Sequence, residues 1–253
     1  MPLPCVVEAI WIYHHWSVKQ RELEYEKLRQ EETLSAATET VIAEPETEES
    51  TEETVIYCDP VYDFGQLHEQ NEDIYAWIVV PGTQVDYPLL QSGTDNYYLD
   101  YNLDHSKGYP GCIYTNQCNR KDFSDYNTVL YGHNMKNGSM FGSIHSFEDE
   151  TFFDGHPYIY VYTENERLTY EIYEAAKFTD VYIPSEYVIS SKDDRDQFLA
   201  DVREKVSDNK LHVREDMEIG EEDRLITLST CVSGERNHRY LVIGVLVETA
   251  LYR

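Results

Sequence analysis

The last 30 residues constrain the fold most. Arg224-Leu-Ile-Thr-Leu-Ser-Thr-Cys231 is apolar or small on both faces, as a strand covered on both sides must be. After a gap of seven residues, Arg239-Tyr-Leu-Val-Ile-Gly-Val-Leu-Val resumes the same texture. If the two form an antiparallel hairpin closed at the ends of that gap, Cys231 faces Arg239, Ser229 faces Leu241 and Thr227 faces Ile243. The period of two along a strand then sets Thr227, Ser229 and Cys231 on one side.

From Val79 onward the chain repeats this character in shorter pieces. Strands are expected near Ala76–Val80, Tyr87–Leu90, Gly111–Tyr114, Asn127–Gly132, Tyr158–Thr163 and Arg167–Thr179, with the last two at Arg224–Cys231 and Arg239–Tyr252. Turn residues at Pro81–Gly82, Gly108 to Gly111, Asn137–Gly138 and Gly155 to Pro157 punctuate them. The 22 tyrosines, with Ile and Val, suit a strand-rich chain. Asp63 to Ile78, carrying Phe64, Leu67, Ile74 and Trp77 around an interruption at Asn71–Asp73, suggests one or two short helices. Ser191 to Val206 places Phe198, Leu199, Val202 and Val206 at helical spacing, with Ser191 and Asp194 as an approximate capping box. Many short strands with a single late helix predict a mainly β fold, a closed β-barrel rather than a parallel α/β sheet.

Charge narrows the partners. Against 48 acidic residues stand 20 basic ones, a net charge of −28. A surface so acidic excludes nucleic acid, which needs a basic face, and docking on anionic lipid through charge alone. The acidity peaks between Gln20 and Asp59, where 13 acidic residues meet 3 basic ones. Within it, Thr33 to Thr54 has almost no large apolar residue and cannot offset its ordering entropy, so a disordered linker is expected. Ahead of the linker, Leu3 to Trp16 is mostly apolar but only about 14 residues long, broken by Glu8 and His14–His15. A spanning helix needs about 20 apolar residues, and no basic n-region or small-residue cleavage site marks a signal peptide. Two readings stand: a short amphipathic or core helix, or the remnant of a membrane anchor. Lys19 to Gln30 reads as a charged helix. The expected organisation is residues 1–32 as an N-terminal segment, 33–60 as linker and 61–253 as the folded β-barrel domain.

The chemistry gathers at the strand ends. A thiol at Cys231 facing the Arg239 guanidinium is the pairing that a nucleophile and its oxyanion partner need. A buried Cys beside a surface Arg would give the same two residues, so a third has to decide. Tyr131-Gly-His133-Asn-Met-Lys-Asn-Gly138-Ser-Met-Phe141 follows the apolar run Thr128–Leu130, which sets His133 at the C-terminal end of a strand. A single Cys with a distant His is a recognised nucleophile pattern.

Thr227-Leu-Ser-Thr-Cys231 with Arg239 eight positions on, and Gly132-His133-Asn-Met followed by Gly138 and Phe141, resemble the signature of the sortases. Upstream, Asn71-Glu-Asp-Ile-Tyr-Ala-Trp77-Ile, Val80-Pro-Gly-Thr83, Val85-Asp-Tyr-Pro88 and Asn96-Tyr-Tyr-Leu99 are similar to class B. The resemblance runs from about Tyr62 to the C-terminus. It implies an eight-stranded barrel with N-terminal helices and a long helix before the cysteine strand. It also implies an extracytoplasmic, membrane-anchored cysteine transpeptidase of Gram-positive bacteria that cleaves a C-terminal sorting motif of surface proteins after Thr. The acyl group would pass, through a thioester, to an amine of a peptidoglycan stem or bridge peptide. On this resemblance Cys231 is the nucleophile, Arg239 stabilises the oxyanion side, and His133 protonates the leaving amine and deprotonates the incoming one. Asn96, Ser229 and Thr230 match positions lining the substrate groove. No calcium or other cofactor is implied. The N-terminal apolar stretch is shorter and more polar than the family's usual anchor.

Other residues carry less. His14–His15 lacks a third metal ligand at a fitting spacing. Cys112 and Cys118 are not spaced as a zinc knuckle; a disulfide and two free thiols both stand. His105, His145 and His156 lie in turn-rich contexts and are expected to be solvated. Besides a transpeptidase, a cysteine endopeptidase with water as acceptor and a non-catalytic acidic module are the competing classes. An Arg facing the Cys, rather than an Asn or Asp orienting the His, separates the first from papain-like proteases.

Overall fold

The expected C-terminal hairpin forms in the expected register. Strands β9 (Leu225–Val232) and β10 (Glu235–Tyr252) pair antiparallel, with Cys231 opposite Arg239, Ser229 opposite Leu241 and Thr227 opposite Ile243. The computed structural model describes residues 4–32, 55–205 and 211–253; of the linker expected at 33–60, residues 33–54 lie outside them, as does Val206, while Ile56–Cys58 forms a strand instead.

Ten strands make one sheet: β1 (Ile56–Cys58), β2 (Ile74–Val79), β3 (Asp86–Leu90), β4 (Ile113–Thr115), β5 (Asn127–Tyr131), β6 (Tyr158–Tyr162), β7 (Glu166–Thr179), β8 (His212–Val213), β9 and β10. Eight of them run β10-β9-β5-β4-β3-β2-β6-β7, and β7 pairs back onto β10, which closes the barrel. The mainly β, closed-barrel fold is thus as expected. β1 adds in parallel to the end of β10, and β8 adds to β7.

Alternation divides β5, β7, β9 and β10 between two cores. In β9, Ile226 and Leu228 join the main core with Tyr87 and Tyr170. Leu225 turns outward, where with Val129, Leu241 and Ile243 it meets Phe198, Leu199 and Val202 of the long helix α6 (Lys192–Lys205). (The shorter helices are α2 Phe64–Gln70, α3 Tyr97–Asp100, α4 Glu150–Gly155 and α5 Ile183–Glu186, with a 3-10 helix at Gly142–Glu148.) Burying each large side chain of that face is worth roughly 1.5–3 kcal/mol. Half of the expected capping box forms: the Asp194 N–H donates to Ser191 Oγ, while the Asp194 carboxylate turns back to the N–H of Val188.

One expectation changes. Ile74 belongs to β2, not to a helix, and Trp77 lies in the strand expected near Ala76–Val80. α2 stops at Asn71, whose side chain takes the Asp73 N–H and donates to the Leu103 carbonyl, so the chain leaves the helix already tied for a strand. The charged segment before the linker is part of α1 (Pro4–Glu32), and it docks on the barrel. Tyr25 and Leu28 are buried in the main core; the Tyr25 hydroxyl donates to the Gly111 carbonyl at 3.2 Å. Arg21 reaches Asp104 and Ser106, and Arg29 donates to the Asp86 carbonyl and stands over the Tyr87 ring. No helix among the described residues is long and apolar enough to cross a membrane. The side chains of His14 and His15 lie outside the described residues.

Candidate active site

The ends of three strands gather the three expected residues. β5 pairs in parallel with β9 as far as Tyr131 beside Ser229. Past the strand's end Gly132 still bonds to Ser229 and Thr230, and Asn134 Nδ2 to the Cys231 carbonyl, which holds His133 alongside the end of β9. On the other flank, β10 sets Arg239 opposite Cys231. The thiol therefore lies between the turn that carries the histidine and the strand that carries the arginine. Cys231 is exposed; His133 and Arg239 are half-buried. The same outward face of β9 that α6 covers at Leu225 is open at Cys231.

Gly132 permits the histidine's placement. A Cβ on Gly132 would lie 2.5 Å from Ile113 Cδ1 and 2.8 Å from Phe141 Cδ2. Only a residue without a side chain lets β5 end this close to both neighbours. His133 Nε2 bonds to the Leu99 carbonyl at 2.8 Å, and its ring packs on Tyr109 with centroids 4.8 Å apart. Since a carbonyl only accepts, Nε2 carries a proton in this bond. Arg239 Nη1 donates to the carbonyls of His238 at 3.0 Å and Arg236 at 3.3 Å, in the first residues of β10. Nearby, Glu235 pairs with Lys177 and His238.

One row further along the strands lies Tyr114 beside Tyr131 beside Ser229. Asn96, exposed and in the left-handed region at φ 59°, accepts from the Tyr114 hydroxyl and from Asn116 Nδ2. Asn116 also donates to the Tyr182 hydroxyl, and the Tyr182 ring stacks on Tyr131. Burial raises the Tyr114 and Tyr131 hydroxyls well above the usual phenol range, and raises Tyr182 to about 12. The floor therefore stays neutral, a set of hydroxyls and amides suited to peptide groups. Asn96 and Ser229 come together around it. Thr230 does not: it points inward, buried, and its hydroxyl donates to the Gly132 carbonyl at 2.8 Å, which ties β9 to the turn before His133.

Cys112 and Cys118 are both free thiols. Cys112 is buried under Tyr25, and burial raises it to about 12; Cys118 is exposed beside Tyr182. Two histidines expected in solvent are not. The His156 ring stacks on Phe152 at 3.9 Å, and His145 lies beside Cys231. His145 falls three residues before Glu148 on the 3-10 helix, a spacing that puts them on one face; that was the one signal in the sequence. Among the described residues no group of three or more His, Cys, Asp or Glu could hold a metal ion.

The sortase domain family matches residues 78–247, and the chain belongs to that family. The similar proteins are class B members. Sortase B of Listeria monocytogenes is 34% identical over 168 residues, which is 65% of this chain and 65% of that protein's own length. The crystal structure of sortase B from B. anthracis superposes with a TM-score of 0.69 at 27% identity, covering 91% of this chain and 97% of the other. A Staphylococcus aureus sortase B–substrate complex gives 0.62 at 26% identity, covering 73% and 84%.

Proposed function

We propose that the protein is a cysteine transpeptidase of class B type that acts on surface proteins bearing a C-terminal sorting signal. The observation that supports this reading is the pairing of Cys231 with Arg239 on one flank, and on the other the turn carrying His133, whose neighbours Gly132 and Asn134 bond to Ser229 and to the Cys231 carbonyl. The Cys231 thiolate attacks the carbonyl carbon of a Thr in the sorting motif. The tetrahedral oxyanion is met by the Arg239 guanidinium, which a side-chain rotation carries from the carbonyls of Arg236 and His238 to the thiol. His133, held at Nε2 by Leu99, gives a proton from Nδ1 to the leaving amine as the C–N bond breaks, and a thioester remains on Cys231. An incoming peptidoglycan amine then attacks the thioester carbon, loses its proton to His133, and releases the thiolate. Asn96, Ser229 and the tyrosine floor receive the motif; Thr230 contributes by fixing β9. The reaction takes place outside the cytoplasmic membrane, with the chain held through its N-terminus.

An exposed thiol is also open to water, which favours hydrolysis as a second fate of the same thioester. The test is a library of peptides with Thr at the scissile position, with and without amine acceptors. Transpeptidation requires a Cys231 adduct detectable by mass and a product carrying the added amine. Products of hydrolysis alone at saturating amine make the protein an endopeptidase. Cys231→Ala turning over above a tenth of the wild-type rate removes the nucleophile assignment.

A further inference from the structure

The backbone around Cys231 is held by side chains where the strands stop holding it. In the β5–β9 ladder, the Gly132 N–H bonds to the Ser229 carbonyl. An unbroken parallel ladder would next bring the Asn134 N–H to the Cys231 carbonyl. The chain has already turned there, and Asn134 bridges to Met140 instead. The Cys231 carbonyl is met by two side chains: Asn134 Nδ2 donates to it at 2.8 Å, and His145 Nε2 lies 3.0 Å from it. On the other flank the β9–β10 register breaks between Arg239 and Glu235. The β5–β9 pairing thus ends at Ser229, just short of Cys231, and the β9–β10 register shifts just beyond it.

His145 is itself held on three sides. Its Nδ1 lies 2.7 Å from Glu148 Oε1, its ring stacks on Tyr240 with centroids 5.0 Å apart, and Asn134 Nδ2 is 3.1 Å from Nε2. Glu148 in turn accepts His212 Nε2 on its carbonyl. The arrangement works in both protonation states. With Nδ1–H on Glu148 and Nε2 bare, the two Asn134 amide protons serve the carbonyl and the ring. As an imidazolium, His145 donates directly to the Cys231 carbonyl. The group forms one wall of a cleft of about 600 Å³ beside Cys231, with Lys136 and Glu235 as the other charged side chains.

We propose that His145 is a positioning residue for Cys231: together with Asn134 it grips the nucleophile's own carbonyl, and Glu148 orients it to do so. The grip sets the backbone torsions of Cys231 and hence the direction of the thiol toward His133 and Arg239. A misplacement of about 1 Å at such a centre costs on the order of 100-fold in rate. The inference rests on the reading of Cys231 as nucleophile.

The test uses the full chain, with thioester formation and turnover of a cleavable peptide as readouts. His145→Phe keeps the stack on Tyr240 and removes both nitrogens. We expect its melting temperature to stay within about 2 °C of wild type while kcat falls about tenfold and KM holds, the loss of the hold on the Cys231 carbonyl. His145→Gln, whose amide reaches the same carbonyl, should recover activity to within about threefold of wild type. Glu148→Gln should fall between the two. His145→Phe retaining more than half of wild-type kcat overturns the proposal, as does a Gln variant no better than Phe. Activity retained in Cys231→Ala overturns the nucleophile reading and this proposal together; wild-type activity in His145→Phe beside a dead Cys231→Ala overturns only the grip.

Discussion

Arg239 and Cys231 form a cross-strand pair in which the Cys231 carbonyl points away from Arg239, toward β5. Such non-hydrogen-bonded pairs bring Cα atoms to about 4.5 Å and their side chains closest together. A planar fork in that position can donate two bonds at once. Arg239→Lys should therefore be nearly as damaging as Arg239→Ala, with kcat/KM down about 10²–10³-fold in both. Melting temperatures alongside kcat/KM separate this from a rim-capping role. A Lys variant with more than half of wild-type activity reduces Arg239 to a diffuse charge.

Gly132→Ala should disable the site without touching a reacting group. Its Cβ meets Ile113 and Phe141 inside contact distance, and such overpacking typically costs about 1–3 kcal/mol. The strain is relieved most easily by moving the turn that carries His133. Activity should fall at least tenfold while far-UV circular dichroism is retained; full activity would mean that the barrel wall yields instead.

Asn96→Ala should act on binding. It removes the acceptor of the Tyr114 hydroxyl and one partner of Asn116. KM for the sorting peptide should rise several-fold with kcat little changed, as expected for an interaction made equally in ground and transition states. An unchanged KM would remove Asn96 from the groove.

Glu174 makes stability depend on pH. Its carboxyl is wholly buried, Oε1 lacks a partner, and Arg203 reaches only Oε2; burial raises it to about 7. A carboxyl raised in the folded state binds its proton more tightly there. Its contribution is complete below about 4.5 and is lost as pH rises through about 7. Glu174→Gln should accordingly be more stable than wild type at pH 8, by about 2 °C or more, and show no gain at pH 4.5. Thermal unfolding at the two values decides it; equal shifts at both would place the effect in packing.

What could be read from the sequence was whatever a local pattern encodes. The pairing of Cys231 with Arg239 follows from two apolar runs and the length between them, and α6 follows from the spacing of Phe198, Leu199 and Val202. Ile74 and Trp77 have positions that suit a helix, but Asn71 ends α2 through contacts with Leu103 and Asp73. Thr230 sits in the motif next to the nucleophile, yet strand alternation turns it inward. His145 stayed hidden because its partners, Cys231 and Tyr240, are 86 and 95 positions away. Only the closure of the barrel brings them together.

The docking of α1 has a consequence for aim. Arg21, Tyr25, Leu28 and Arg29 fasten one stretch of the helix to Asp104, Gly111, the core and Asp86. Neither a swivel about the helix axis nor a tilt is possible without breaking several of these at once. A catalytic domain hung on a loose cord would sweep its thiol through every heading. Fastened this way, the barrel is mounted on its first helix like a lamp on a fixed bracket, and the bearing of Cys231 relative to that helix is set by the fold.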